Sequence, residues 1–218
     1  MSLFDELNPV QQKAVLETEG ALLVFAGAGS GKTRVLTYRI AYLIQEKGVH
    51  PSQIFAVTFT NKAANEMRER VETLLGGSTK GAWISTFHSA CVHILRRHIH
   101  PLGFQNNFVI YDQEDQDRHL KTVMRELELD FKVFSPGKVR SAIDHLKNQG
   151  VTPDQYRPGE FNIFQKRVAL IYQRYQEDLR RNNALDFGDL LNFVTILFRR
   201  SPEVLGSYQE SFHYVLVD

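Results

Sequence analysis

Cysteine is almost missing from this 218-residue chain: Cys91 is the single one, so no intrachain disulfide can form. That usage fits a reducing, cytoplasmic setting. Long apolar runs are missing too. No stretch approaches the roughly 20 residues that a membrane-spanning helix needs. The acidic start, Met1-Ser2-Leu3-Phe4-Asp5-Glu6, lacks a signal-peptide core, so no membrane partner is expected. Neither sign of charge is in excess: 26 Lys and Arg face 25 Asp and Glu, a formal net charge of +1. Bulk charge therefore does not advertise a nucleic-acid partner, and any such partner must be met by a local patch. There is no internal repeat and no low-complexity tract. The remaining composition is ordinary, with length enough for one large domain or two small ones.

The lone Cys91 sits among His88, His93, His98 and His100. Their spacing fits no common zinc pattern, and one thiolate is a poor start for a structural site. Cys91 reads instead as a small apolar residue on the inner face of a helix.

Against these absences stands one concentrated signal, Ala26-Gly27-Ala28-Gly29-Ser30-Gly31-Lys32-Thr33. It follows the apolar run Ala21-Leu22-Leu23-Val24-Phe25 and precedes a segment of helical periodicity. A strand, a glycine-rich turn and a helix make a phosphate site. The glycines let successive N–H groups converge on one anion, and the helix adds the positive end of its dipole. Lys32 would reach the β- and γ-phosphates, and the Thr33 hydroxyl would ligate Mg²⁺. The first position departs from the strict pattern, being Ala26 rather than Gly. A glycine-rich surface turn is the plainer alternative.

Along the chain, Asn8-Pro9 reads as a cap and first-turn proline for a short amphipathic helix. Strands are expected at 21–25, 54–58, 82–86 and 213–217, and helices at 32–46, 61–75 and 89–98, with Asn61 capping the second of these. Alternation at this spacing argues for a parallel α/β sheet. Residues 113–183 carry no strand signal, only helical segments at 113–127, 136–148 and 160–181. The pattern then resumes, with Asp186 capping a helix to about residue 200. The expected organisation is a first α/β part over 1–112, a helical insertion over 113–184 and a continuation over 185–218. The last strand, His213-Tyr214-Val215-Leu216-Val217, ends on Asp218. An acidic side chain at a strand tip is the second element that a phosphate loop requires, where it holds Mg²⁺. Lys32 and Asp218 are thus the candidate catalytic pair, and Thr33 and Asp218 the candidate metal ligands.

With these residues in place, the chain resembles the N-terminal portion of superfamily-one DNA helicases of the UvrD/PcrA/Rep type. The resemblance extends from Leu7 to Asp218. Leu7-Asn8-Pro9-Val10-Gln11-Gln12 is similar to the family's Q-motif, and Ala26 through Arg34 to its phosphate loop, where alanine at the first position is tolerated. The resemblance implies that Gln11 reads the adenine edge and that Arg34 stacks on the base, roles that suit an amide and a planar guanidinium. Phe59-Thr60-Asn61-Lys62-Ala63-Ala64 resembles motif Ia, and Thr86-Phe87-His88-Ser89 the motif after the next strand. In the family these loops hold single-stranded DNA. Their chemistry suits it: Phe59 offers a stacking face, Thr60, Asn61, Thr86 and His88 offer hydrogen bonds, and Lys62 adds a cation. The plainer reading makes Phe59 and Phe87 core aromatics, Asn61 a helix cap and Lys62 a solvated charge.

Leu185-Asp186-Phe187-Gly188-Asp189-Leu190-Leu191 also resembles a family segment, with Gly188 where an acidic residue is common. We read it as structural, with both aspartates favourably placed at a helix N-terminus. Arg96-Arg97, Arg180-Arg181 and Arg199-Arg200 close three helices, where cations suit the dipole. Lys138, Arg140 and Lys147 could meet duplex phosphates, against the alternative of a solvated helix face.

The resemblance implies a P-loop NTPase (RecA-like) fold, a parallel sheet flanked by helices with an all-helical inserted subdomain. It implies ATP and Mg²⁺ as cofactors. Single-stranded DNA, junctions of single and double strand, and a second RecA-like domain are the implied partners. The expected function is a motor that couples ATP hydrolysis to movement on single-stranded DNA and to unwinding, in repair or replication. This chain itself is expected to be a monomeric, catalytically incomplete fragment with negligible turnover. Two alternatives remain: a P-loop ATPase or kinase on a non-DNA substrate, and a non-catalytic binding module.

Overall fold

The computed structural model describes residues 4–27, 29–77 and 79–218. They form two compact units, one comprising the chain up to Ala90 together with Leu205–Asp218, the other Cys91–Val204.

The first unit holds a parallel three-stranded sheet. Strands β1 (Ile54–Thr58), β2 (Trp83–Thr86) and β5 (Tyr214–Val217) are ordered β2-β1-β5. The registers are Thr58 opposite Thr86 and Val57 opposite Val217. Side chains alternate across a sheet. One face, carrying Ile54, Ala56, Ile84 and Leu216, packs against Ile40 and Leu43 of α2 (Lys32–Gln45) and Met67 and Val71 of α3 (Asn61–Leu75). On the other face Phe55 and Trp83 meet the ring of Phe212, at 5.2 and 5.3 Å between centroids. Helix α1 (Pro9–Leu16) starts on a reciprocal capping box between Asn8 and Gln11, and buries Val15 with Leu7, Val35 and Tyr38.

The second unit is helical. Its helices α5 (Gln113–Glu126), α6 (Pro136–Asn148) and α7 (Ile163–Arg181) enclose a core that includes Leu120, Met124, Ile143, Ile171 and Tyr175, and α8 (Phe187–Arg200) packs against α6. Two three-residue strands, β3 (Val109–Tyr111) and β4 (Ala184–Asp186), form a parallel pair. Three-residue strands are too short for periodicity to reveal, and the sequence offered no sign of them. Helix α4 (Phe87–His98) and helix α9 (Pro202–Ser211) complete the described elements.

Expectation and structure part at other places too. The run 21–25 is not a strand: it has no ladder partner among the described residues, and Leu23 and Phe25 are 75% and 89% exposed. Apolar composition supplies the inner face of a strand, but a strand exists only where a neighbouring edge accepts its backbone groups. Helix α3 is capped by Thr60, not Asn61. Thr60 has extended backbone angles (φ −117°, ψ 149°) and its hydroxyl accepts from the Ala63 N–H, while Asn61 is already helical. Helix α4 begins at Phe87, two residues earlier than the pattern suggested.

Candidate functional site: a phosphate-type loop at the sheet's C-terminal edge

The glycine-rich segment curls on itself. Lys32 Nζ donates to the carbonyls of Ala26 and Gly27 at 3.2 and 2.9 Å, and the Ser30 hydroxyl donates to Gly27 O at 2.6 Å. Gly29 and Gly31 have φ of +76° and +89°, the left-handed region where L side chains are strained. At Gly31 a Cβ would also stand 2.8 Å from Gln11 Nε2. Ala28 lies outside the described residues.

Gln11 Nε2 donates to Ser30 O at 3.0 Å, while its Oε1 accepts from the Asn8 N–H. One amide therefore ties the first helix to the loop, using donor and acceptor together. Arg34 Nη1 reaches Glu6 O at 3.4 Å. A cleft of about 420 Å³ is lined by Gln11, the stretch from Gly29 to Arg34, and Arg70 of α3. Sequence reasoning missed Arg70. The available signal was the i, i+4 row Lys62, Glu66 and Arg70, in which Glu66 stands 3.9 Å from Lys62 Nζ and 3.7 Å from Arg70 Nη2.

The loop and the tip of β5 meet. Thr33 Oγ1 lies 3.2 and 3.0 Å from the two carboxylate oxygens of Asp218, across 185 residues of sequence. The Asp218 N–H donates to Val57 O at 2.9 Å, which continues the β1–β5 ladder by one residue. A hydroxyl beside a carboxylate is a hard oxygen donor set of the kind that Mg²⁺ shares with waters and phosphates. Among the described residues no three His, Cys, Asp or Glu side chains cluster as metal ligands.

The two loops expected to meet DNA leave adjacent strand ends, since Thr58 and Thr86 are opposite one another in the ladder. Phe59 is 81% exposed, and Thr60, Asn61, Lys62 and Phe87 are exposed with it. This excludes a core role for Phe59. Thr86 is buried, and its hydroxyl is engaged with Ser89, accepting from its N–H at 3.2 Å and bonding its side chain at 2.9 Å. It opens α4 rather than pointing outward. Burial lowers the pKa of the half-buried His88, so near neutral pH its ring is uncharged.

The basic side chains of the helical unit sort differently from expectation. Lys147 is fully buried between Asp186 and Asp189, and Arg140 Nη1 is 2.6 Å from Asp117 Oδ1, so neither is a free phosphate contact. Lys138 is exposed. Asp186 and Asp189 form a capping box on α8. Arg96 crosses the Phe108 ring at 3.9 Å and bonds Asn106 O. Cys91 is buried within α4.

Taken together, the elements define a mixed α/β protein with a parallel sheet, whose glycine-rich loop opens a helix beside an acidic strand tip. Comparison with known proteins then gives the family. Residues 7–218 match the model of the UvrD/REP helicase N-terminal domain, and the chain belongs to that family. It is 50% identical over 216 residues to ATP-dependent DNA helicase PcrA of Bacillus subtilis (strain 168), covering 99% of this chain and 29% of that protein. It is 48% identical over 217 residues to ATP-dependent DNA helicase PcrA of Staphylococcus aureus (strain Mu50 / ATCC 700699), covering 100% of this chain and 30% of the relative. ATP-dependent DNA helicase PcrA of Staphylococcus epidermidis is also 48% identical over 217 residues. The chain thus spans about 30% of the length of these curated relatives. No helix among the described residues is long and apolar enough to cross a membrane.

Proposed function

We propose that this chain is the nucleotide-binding, DNA-gripping N-terminal part of an ATP-dependent DNA helicase that acts in repair or replication. The observation that carries the proposal is the contact between Thr33 and Asp218. It joins the glycine-rich loop to the acidic strand tip, and two such elements separated by the whole chain have no structural need to meet. In this reading the α/β unit is a RecA-like motor domain and the helical unit is its insertion.

The chain's own residues divide the work. The loop from Ala26 to Thr33 cradles the phosphates with its N–H groups, and Lys32 exchanges its two carbonyl partners for phosphate oxygens. Gln11, Arg34 and Arg70 line the part of the cleft where the base and sugar would lie. Thr33 and Asp218 would hold Mg²⁺, which when bound neutralises charge on the phosphates. At the neighbouring strand tips, Phe59 stacks on a base of single-stranded DNA. Thr60, Asn61, Lys62, Phe87 and His88 contact its backbone and sugars, with His88 as a neutral hydrogen-bonding group. Thr86 supports that loop from below. Cleft closure against a second RecA-like domain, stepping and unwinding belong to the longer protein.

The test uses the 218-residue chain. Fluorescent ATP with Mg²⁺ should bind, and Lys32→Ala should weaken that binding at least about tenfold, the loss of one charge-assisted phosphate contact. A labelled oligothymidine should bind more weakly as salt rises, and Phe59→Ala should remove the ~1–3 kcal/mol of one stacked base. Nucleotide binding indifferent to Lys32, or DNA binding indifferent to both salt and Phe59, would overturn the reading.

A further inference from the structure

Thr58 ends β1 and is 3% exposed. Its neighbours in the strand, Ala56 and Val57, are apolar and buried, and an aliphatic β-branched residue would fill the same space. A buried hydroxyl costs free energy unless it is paired. The Thr58 hydroxyl finds Asp218, donating to Oδ2 at 3.4 Å, the same oxygen that Thr33 Oγ1 approaches at 3.0 Å. Two hydroxyls from two different elements therefore share one carboxylate oxygen.

The backbone on the other side of Thr58 leads straight to the proposed DNA loop. The next residue is Phe59, 81% exposed, and the one after is Thr60, which caps α3. Little chain separates the carboxylate from the stacking ring, and both ends of it are fixed. The Val57 carbonyl accepts from the Asp218 N–H, and the Thr60 hydroxyl accepts from the Ala63 N–H.

We propose that Thr58 is a positioning residue that relays the state of the nucleotide site to the Phe59 loop through its hydrogen bond to Asp218. Thr33 and Thr58 both hold the carboxylate. With nucleotide bound, Thr33 would turn toward the Mg²⁺ that it and Asp218 hold, leaving Thr58 as the side chain hydrogen-bonded to that carboxylate. Any shift of that carboxylate then pulls on the tip of β1, one residue before Phe59. The inference rests on the proposed function and adds a named connection between its two sites.

The experiment measures coupling rather than affinity. Oligothymidine binding to the 218-residue chain is titrated with and without the β,γ-imido analogue of ATP plus Mg²⁺. The ratio of the two dissociation constants is the coupling, and each variant serves as its own reference. Wild type should show a ratio of about five or more, the lower range of linked sites. Thr58→Val and Thr58→Ala, which lack the hydroxyl, should bring it below about twofold, and Thr58→Ser should restore it. A structural role alone would lower both affinities and leave the ratio unchanged. Retention of the wild-type ratio in the hydroxyl-free variants overturns the relay, as does a wild-type ratio near one. A wild-type chain that binds no nucleotide or no DNA overturns the proposed function itself, and the relay with it.

Discussion

Replacing Lys147 tests how the helical unit is held together. Its ammonium is fully buried, 2.6 Å from Asp186 Oδ2 and 2.7 Å from Asp189 Oδ1. Tyr175 OH donates to Asp186 and Gln176 Nε2 to Asp189, both at 3.1 Å, and each aspartate accepts from the other's backbone N–H. Burial alone would lower the lysine's pKa, but the charges of Asp189 and Asp186 outweigh it and the net shift is upward. One cation facing two carboxylates leaves a net negative charge inside the unit. Burial and the nearby Asp186 carboxylate therefore push Asp189 up to about 6, against the pull of Lys147. Lys147→Met fills similar volume and strands two carboxylates. Breaking a buried pair costs about 3–5 kcal/mol, or roughly 6–20 °C in melting temperature at this chain length.

The sign of the pH dependence makes the prediction sharper. Asp189's folded pKa, about 6, lies above its reference value of 3.8. The native state therefore holds the extra proton between those values, so this group's stabilising contribution is complete below about pH 4 and is lost as pH rises through about 6. Wild type should gain about 1 kcal/mol from this group between pH 7 and pH 5. The Lys147→Met deficit should shrink over the same interval as the stranded carboxylates take up protons. Adding Asp186→Asn and Asp189→Asn, which keep the helix cap but remove the charges, should recover most of the loss. Urea titrations followed by circular dichroism at both pH values read these differences. A loss under about 1 kcal/mol for Lys147→Met at pH 7 would refute the buried-triad account.

Two further outcomes follow from the same physics. Gly188→Ala should destabilise the unit by about 1–3 kcal/mol although alanine is the better helix former, because the new Cβ would stand 2.9 Å from Lys147 Cδ and 3.0 Å from its Cβ; a stabilised variant in the same urea titration would show that the lysine stem can move aside freely. Cys91, whose thiol burial pushes up to about 11 from 9.0, should be alkylated by iodoacetamide at pH 8 on the order of 100-fold more slowly than a free cysteine peptide, and denaturant should abolish the difference; mass spectrometry showing the peptide rate in the native protein would place the thiol at the surface instead.

The candidate site was legible because its parts are local. A glycine-rich turn, a strand-end acid and a capped helix each leave their mark within about ten residues, and so do the caps at Asn8 and Asp186. Lys147 was not legible. A lysine on an amphipathic helix reads as solvated, and its partners lie 39 and 42 residues away. The strand expected at 21–25 failed for the converse reason: its residues carry the right pattern, but pairing depends on an edge the pattern cannot supply. Thr60 and Asn61 are both good caps, and only the backbone angles decide between them.

What ties the local parts into one site is strand register, and the apolar core sets that register. Ile54, Ala56, Ile84 and Leu216 face α2 and α3. Two residues on along the same strands, and hence on the same face, stand Thr58, Thr86 and Asp218. The face that buries the core in the middle of the sheet thus becomes polar at its C-terminal edge, beside the start of α2, where Thr33 meets Asp218. Slipping β5 by one residue would expose Leu216, bury an alternate valine, and turn Asp218 to the opposite face, away from Thr33 and Thr58. The hydrophobic term that pins Leu216 against α2 and α3 therefore also fixes which hydroxyls the carboxylate can reach. Core packing and site geometry are in this unit one constraint.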